Sequence, residues 1–157
     1  MNIELIVVGK TDMKEVAALV DMYTKRINFY NKFNITYLPD IRNSKNLSEA
    51  QQKTAEGDAI LRLIDDSDRV VLLDEKGAEF RSVEYAEWLQ KRINSGIKRL
   101  VFVIGGPYGF SEAVYSRSNE KISLSKMTFS HQIIRAIFTE QLYRAFSIIH
   151  NSPYHHE

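Results

Sequence analysis

Residues 100–109 read Leu-Val-Phe-Val-Ile-Gly-Gly-Pro-Tyr-Gly. Five consecutive apolar residues have the length of a strand buried on both faces. They run straight into three glycines within five positions, which lets backbone come close to a ligand and permits positive φ. Ser111-Glu112 follow as a helix cap and first turn. A buried strand, a glycine turn and a helix start in that order are the elementary unit of an α/β sheet. The turn is open to two readings, a tight strand-to-helix connection or a ligand cradle.

The same grammar extends in both directions. Asn2–Val8 is a short apolar run closed by Gly9. Met13–Phe29 has helical spacing, with Val16, Leu19, Val20, Tyr23 and Ile27 on one face. Phe33–Leu38 is a β-branched and aromatic run stopped by Pro39. Ser48 and Gln51 form a capping box that predicts a helix to about Ile64. Arg69–Leu73 reads as a buried strand, and Val83–Asn94 as a helix ended by Ser95-Gly96. The strongest periodicity lies in His131–His150, with Ile134, Ile137, Phe138, Leu142, Ala145, Phe146 and Ile149 in a broad stripe. Arg135, Thr139, Tyr143 and Ser147 fall on another face of that helix. Strands that alternate with helices and are apolar throughout predict an α/β domain whose parallel sheet is covered by helices on both faces. Ligands of such sheets sit beyond the carboxyl ends of the strands, here just after Leu73 and Ile104.

The 157 residues fit one domain. With no cysteine, disulfides and thiolate chemistry are excluded. No apolar run has the ~18–20 residues of a membrane span, and Met1–Gly9 lacks a basic flank, so the expectation is a cytoplasmic protein with no membrane partner. Net charge is +1, which argues against a dedicated binder of naked nucleic acid. The charge is uneven: residues 1–80 hold 11 basic and 14 acidic side chains, residues 81–157 hold 10 and 6. All four histidines lie from His131 onward.

The common phosphate motifs fail at the glycine turn. A dinucleotide fingerprint starting at Gly105 needs glycine where Pro107 and Phe110 stand, and no P-loop exists. A nucleotide-like ligand here is therefore not held by phosphates. Ile122–His131 reads Ile-Ser-Leu-Ser-Lys-Met-Thr-Phe-Ser-His, a short strand followed by a loop, with Ser130 as helix cap. The Leu, Met and Phe suit either the core or an adenine. Arg135 has the planar fork that grips a phosphate or a carboxylate. Glu140 and Arg144, four apart, read as a surface pair. Pro153 stops the last helix before Tyr154-His155, and two adjacent histidines with no third ligand nearby predict no metal site.

Together, Ile104-Gly105-Gly106, Leu124–Phe129, His131-Gln132 with Arg135, Glu140-Gln141 with Tyr143-Arg144-Ala145, and the Tyr154-His155 ending closely resemble one family in order and spacing. It is the SPOUT-class RlmH family, which methylates N3 of a pseudouridine in 23S rRNA on the assembled ribosome. The resemblance runs over the whole chain and is specific from about Arg69; residues 40–60 carry no usable signature. It implies one SPOUT domain over residues 1–157, with a deep C-terminal trefoil knot over about 69–157. It implies a homodimer and a bent S-adenosylmethionine held by residues matching Leu73, Gly105, Gly106, Leu124, Ser125, Lys126, Met127, Thr128 and Phe129. It implies that Tyr154 and His155 reach toward the target base, with Arg135 beside the chemistry. His156 stands where the family often has a basic residue. His155 is the candidate base or proton relay, since histidine titrates near physiological pH; that it and Tyr154 only grip RNA is the equal alternative.

Overall fold

Ten regular elements build the molecule, described over residues 1–156 in a computed structural model. They alternate as β1 (Asn2–Val8), α1 (Lys14–Tyr30), β2 (Phe33–Leu38), α2 (Glu49–Leu61), β3 (Arg69–Glu79), α3 (Ser82–Ile93), β4 (Arg99–Ile104), α4 (Glu112–Arg117), β5 (Glu120–Ser123) and α5 (Ile133–Ile149). The strands pair in the order β2-β1-β4-β3-β5, all parallel.

Alternation along each strand explains why the strands read as unbroken apolar runs. Leu5, Val7, Val71, Phe102 and Ile104 point to one face, under Ile27 of α1, Trp88 and Leu89 of α3, and Phe138, Leu142 and Phe146 of α5. Ile6, Val8, Val70, Leu72, Val101 and Val103 point to the other, under Ile60 of α2 and Phe110 and Val114 around α4. Both faces are covered, so neither parity has reason to be polar.

The local signals formed as read. Ser48 Oγ accepts from Gln51 N at 3.1 Å and Gln51 Oε1 from Ser48 N at 2.9 Å. Ser111 Oγ caps α4 through Val114 N at 3.3 Å. Ser130 Oγ accepts from Ile133 N at 3.1 Å, which sets the start of α5.

Two elements differ from the expected bounds. Helix α2 stops at Leu61, not near Ile64, because Leu63 and Ile64 close onto Ile60 and Leu61 in tighter three-residue turns. Strand β3 does not end at Leu73. It leaves the ladder there, bulges over residues 74–77, and re-pairs through Ala78 with Ile122. The second face of α5 is buried as well: Arg135, Thr139 and Ser147 are all inside. Thr139 and Ser147 satisfy their hydroxyls on the preceding helical turn, at Arg135 O and Arg144 O.

Candidate active site: a main-chain cleft and a separate tail cluster

A cleft of about 620 Å³ opens beyond the carboxyl ends of β3, β4 and β5, where a parallel sheet places its ligand. Each strand contributes its following loop. Leu73 and the bulge residues Asp74, Glu75 and Lys76 come from β3; Ile104 through Phe110 come from β4; Leu124, Ser125 and Met127–His131 come from β5. Ile134 of α5 and Tyr115 of α4 complete the wall.

The β4 loop is a tight turn: Gly109 N donates to Gly106 O at 3.1 Å, with Gly109 at φ +80°. Only glycine adopts that conformation without steric cost. The β5 loop is braced by its own serines. Ser123 Oγ donates to Ser125 O, and Ser125 Oγ accepts from Met127 N, each at 2.9 Å.

Of the residues expected around the cofactor, Leu73, Gly105, Gly106, Leu124, Ser125, Met127, Thr128 and Phe129 all line the cleft. Lys126 does not. Its side chain is 84% exposed and faces Glu79 at 3.7 Å. The bulge residues were not read from the sequence, because a polar Asp-Glu-Lys run after a strand looks like its end. Tyr115 was also missed. Its hydroxyl is pushed up to about 12 by burial and by the Asp74 carboxylate, so it stays protonated and donates to Asp74.

The cleft suits a nucleoside cofactor with a cationic end and no phosphate. Leu73, Ile104, Phe110 and Ile134 give it an apolar lining, and Asp74 and Glu75, with Lys76 beside them, give it charge. No cation fork points into it.

Arg135, expected beside the chemistry, is not among the cleft-lining residues and is engaged elsewhere. It is 2% exposed. Its guanidinium donates to Val8 O at 2.7 Å, Gly9 O at 2.9 Å, Thr11 Oγ1 at 3.0 Å and His131 O at 3.0 Å. Gln132 extends the clasp, donating to Lys10 O and accepting from Asp12 N at 2.8 Å. The first turn of α5 thus grips the β1–α1 loop, and this fixes His131 and Ile134 at the cleft.

Tyr154 and His155 form a second cluster outside the cleft lining. Asn151 ends α5 at φ +53°, and Ser152 N closes on Ser147 O at 2.8 Å, so the tail turns back along the helix. Tyr154 Oη donates to Glu140 Oε1 at 2.8 Å and lies 3.4 Å from Tyr23 Oη. Burial, then the Tyr23 and Glu140 contacts, raise the phenol well above its ordinary range, so Tyr154 is a donor and not a base. The Arg144 guanidinium stacks on the Tyr154 ring, pairs with Glu140 and contacts His155 Nδ1 at 3.1 Å. Glu140–Arg144 is therefore no idle surface pair; it fastens the tail.

The sequence matches a family model described as a predicted SPOUT methyltransferase over residues 1–155. Similar curated proteins include the ribosomal RNA large subunit methyltransferase H of Flavobacterium johnsoniae, 58% identical over 157 residues, and that of Flavobacterium psychrophilum, 59% identical over 157 residues. Both alignments cover all of this chain and all of the relative. A third, from Christiangramia forsetii, is 58% identical over 99% of each chain. With a matching model over almost every residue and relatives this near over their full length, the chain belongs to the SPOUT methyltransferase family, among the large-subunit rRNA methyltransferases H.

Proposed function

We propose that this protein is an S-adenosylmethionine-dependent methyltransferase that acts, as a homodimer in the cytoplasm, on N3 of a pseudouridine of 23S rRNA in the assembled ribosome. The observation that carries the reading is the cleft: three loops at the carboxyl ends of β3, β4 and β5, in a chain that matches a methyltransferase family from residue 1 to 155.

When bound, S-adenosylmethionine supplies an already activated methyl group on a cationic sulfonium. The residues that would hold it are Leu73, Gly105, Gly106 and the Leu124–Phe129 loop, with Asp74 and Glu75 favouring its positive charge. The protein's task is then alignment and exclusion of water. Tyr108, 42% exposed at the cleft, offers a face for an unstacked base.

The N3–H of the target is an imide proton that must leave. Arg144 contacts His155 Nδ1 at 3.1 Å and lies over the Tyr154 ring, so the tail is held in place. The proton passes to His155 or, where Tyr154 and His155 only grip RNA, to water.

Homodimer formation rests on two observations. First, the cleft and the tail cluster are separated within one chain. Ile134 of α5 lines the cleft and Glu140 holds Tyr154, six residues and about 9 Å further along the helix. A second subunit's tail would complete the site. Second, Met13, Leu19, Met127, Phe129 and Ile133 are exposed apolar side chains; Met13 and Ile133 are neighbours through the Gln132 clasp. The knot and the single 1–157 domain belong to the same proposal. In their support, β5 lies beyond β3, and Leu124–His131 then crosses the cleft back toward β1, where Gln132 and Arg135 take hold.

Incubation with labelled S-adenosylmethionine and ribosomes lacking the modification tests the reading. Methyl transfer to N3 of one pseudouridine is expected. Transfer to a different nucleotide would reassign the target, and no transfer to rRNA would refute the function.

A further inference from the structure

Glu56 is the least expected residue of α2. It is 3% exposed, on a helix whose other buried residues are only Gly57 and Ile60. No cation pairs with it among the described residues. Oε2 takes one hydrogen bond from Gln52 Nε2, at 3.3 Å, and Oε1 takes none from the protein. Isolated buried charge is expensive, so burial disfavours the ionised form of this carboxyl. Burial, opposed in part by the Gln52 hydrogen bond and aided by the nearby Asp40 charge, does raise it.

The carboxyl lies directly beneath the glycine turn of the cleft. A Cβ added to Gly106 would stand 2.6 Å from Glu56 Oε2 and closer still to Oε1, with Cδ at 2.8 Å. No side chain fits between the turn and the acid. The next residue repeats the pattern: a Cβ on Gly57 would run into Ser111, 3.1 Å from its Cβ and nearer its Oγ. Ser111 caps α4, which leaves the same turn. Glu56 and Gly57 therefore meet both ends of the segment from Gly106 to Ser111, from the side away from the cleft.

We infer that Glu56 is a positioning residue for the cofactor: its carboxyl is the support against which Gly106 rests, and with Gly57 it fixes where the turn's main-chain groups face the cleft. This rests on the reading of the cleft as the S-adenosylmethionine site. A carboxyl is flat, so a glycine backbone can lie against it. A branched apolar side chain at position 56 would fill the layer and lift the turn. An alanine would leave a hole into which the turn sinks. The requirement is one of shape and polarity, not of charge, and glutamine meets it.

The test has two readouts on the full-length protein. The first is amide hydrogen exchange of Gly105–Gly109 without ligand. Glu56→Ala is expected to speed exchange there about tenfold or more while leaving Ile3–Val7 of β1 unchanged, and Glu56→Gln to stay near wild type. The second is calorimetric affinity for S-adenosylmethionine. Glu56→Ala is expected to weaken it about tenfold, and Glu56→Gln less than about threefold. Gly106→Ala should weaken binding strongly in the native background, yet add little once Glu56 is alanine, because the clash has been removed. If Glu56→Ala does not fold, Glu56→Asp, which withdraws the carboxyl by one methylene, carries the same comparison. Unchanged exchange at the turn in the alanine or aspartate variant, or strictly additive penalties for positions 56 and 106, would overturn the inference. Failure of the native protein to bind S-adenosylmethionine would instead overturn the cofactor reading, and the exchange experiment would still decide whether Glu56 holds the turn.

Discussion

Replacing Arg135 by methionine separates a structural clasp from a ligand anchor. Methionine keeps much of the stem and all of the helix propensity but removes the fork. Val8 O and Gly9 O then lose buried, charge-assisted donors, and Thr11 Oγ1 and His131 O lose theirs. Each buried carbonyl left without a partner costs about 1–3 kcal/mol. Methionine fills part of the space and spares some desolvation, so a net loss of about 3–5 kcal/mol is expected. That is a large share of the ~5–15 kcal/mol of a typical domain. It corresponds to a fall in melting temperature of roughly 10 °C at this chain length. Lysine offers a single ammonium in place of the fork and should recover only part of the loss. Urea unfolding gives the stability and calorimetry the S-adenosylmethionine affinity of the folded variant. The clasp predicts a lower urea midpoint at unchanged slope. Wild-type stability together with lost ligand affinity would refute the clasp and restore Arg135 as an anchor.

Deleting residues 151–157 should leave S-adenosylmethionine affinity within about threefold yet abolish methylation, because Tyr154 is held by Glu140 and is not among the residues that line the cleft; full activity after deletion would remove the tail from the site. Ile133→Glu, at an exposed apolar position beside Met13, should shift sedimentation from dimer to monomer, and an intact dimer would move the interface elsewhere. Glu120→Gln should destabilise by about 1–3 kcal/mol at neutral pH, read by urea unfolding. Burial alone would raise Glu120, but hydrogen bonds from Trp88 and Arg92 and the charges of Arg92 and Arg69 outweigh it and hold the carboxyl below its ordinary range. Its contribution is thus full above the unfolded value of about 4.3 and fades as pH falls through the lower folded one, so the two proteins should converge in acid. A gap independent of pH would contradict this.

Elements built on local chemistry were legible from the residues. Leu100–Ile104 announced β4, Ser48 with Gln51 announced α2, and Ser111 announced α4, because strand burial and capping are decided within a few residues. The loops that line the cleft were legible only as a set. Gly105-Gly106 alone is any tight turn, and Met127, 78% exposed, is any apolar loop residue; order and spacing joined them. What stayed hidden depends on distant partners. An arginine on a helix reads as a fork for a phosphate or a carboxylate until Val8 O and Gly9 O are seen around it. Glu56 reads as the polar face of α2 until Gly106 is placed above it, fifty residues on. The return of β3 to the ladder at Ala78 is concealed by the polar Asp74–Lys76 run, since pairing is a property of two strands and the signal lies in only one. The strand order is likewise unwritten in any one segment.

Methyl transfer to the large ribosomal subunit is measured by giving the purified protein labelled S-adenosylmethionine and ribosomes that lack the modification, then mapping the label. Label is expected at N3 of a single 23S rRNA pseudouridine. Binding to ribosomes with no label in rRNA would contradict it, and would leave a ribosome-binding protein that keeps the fold without the chemistry.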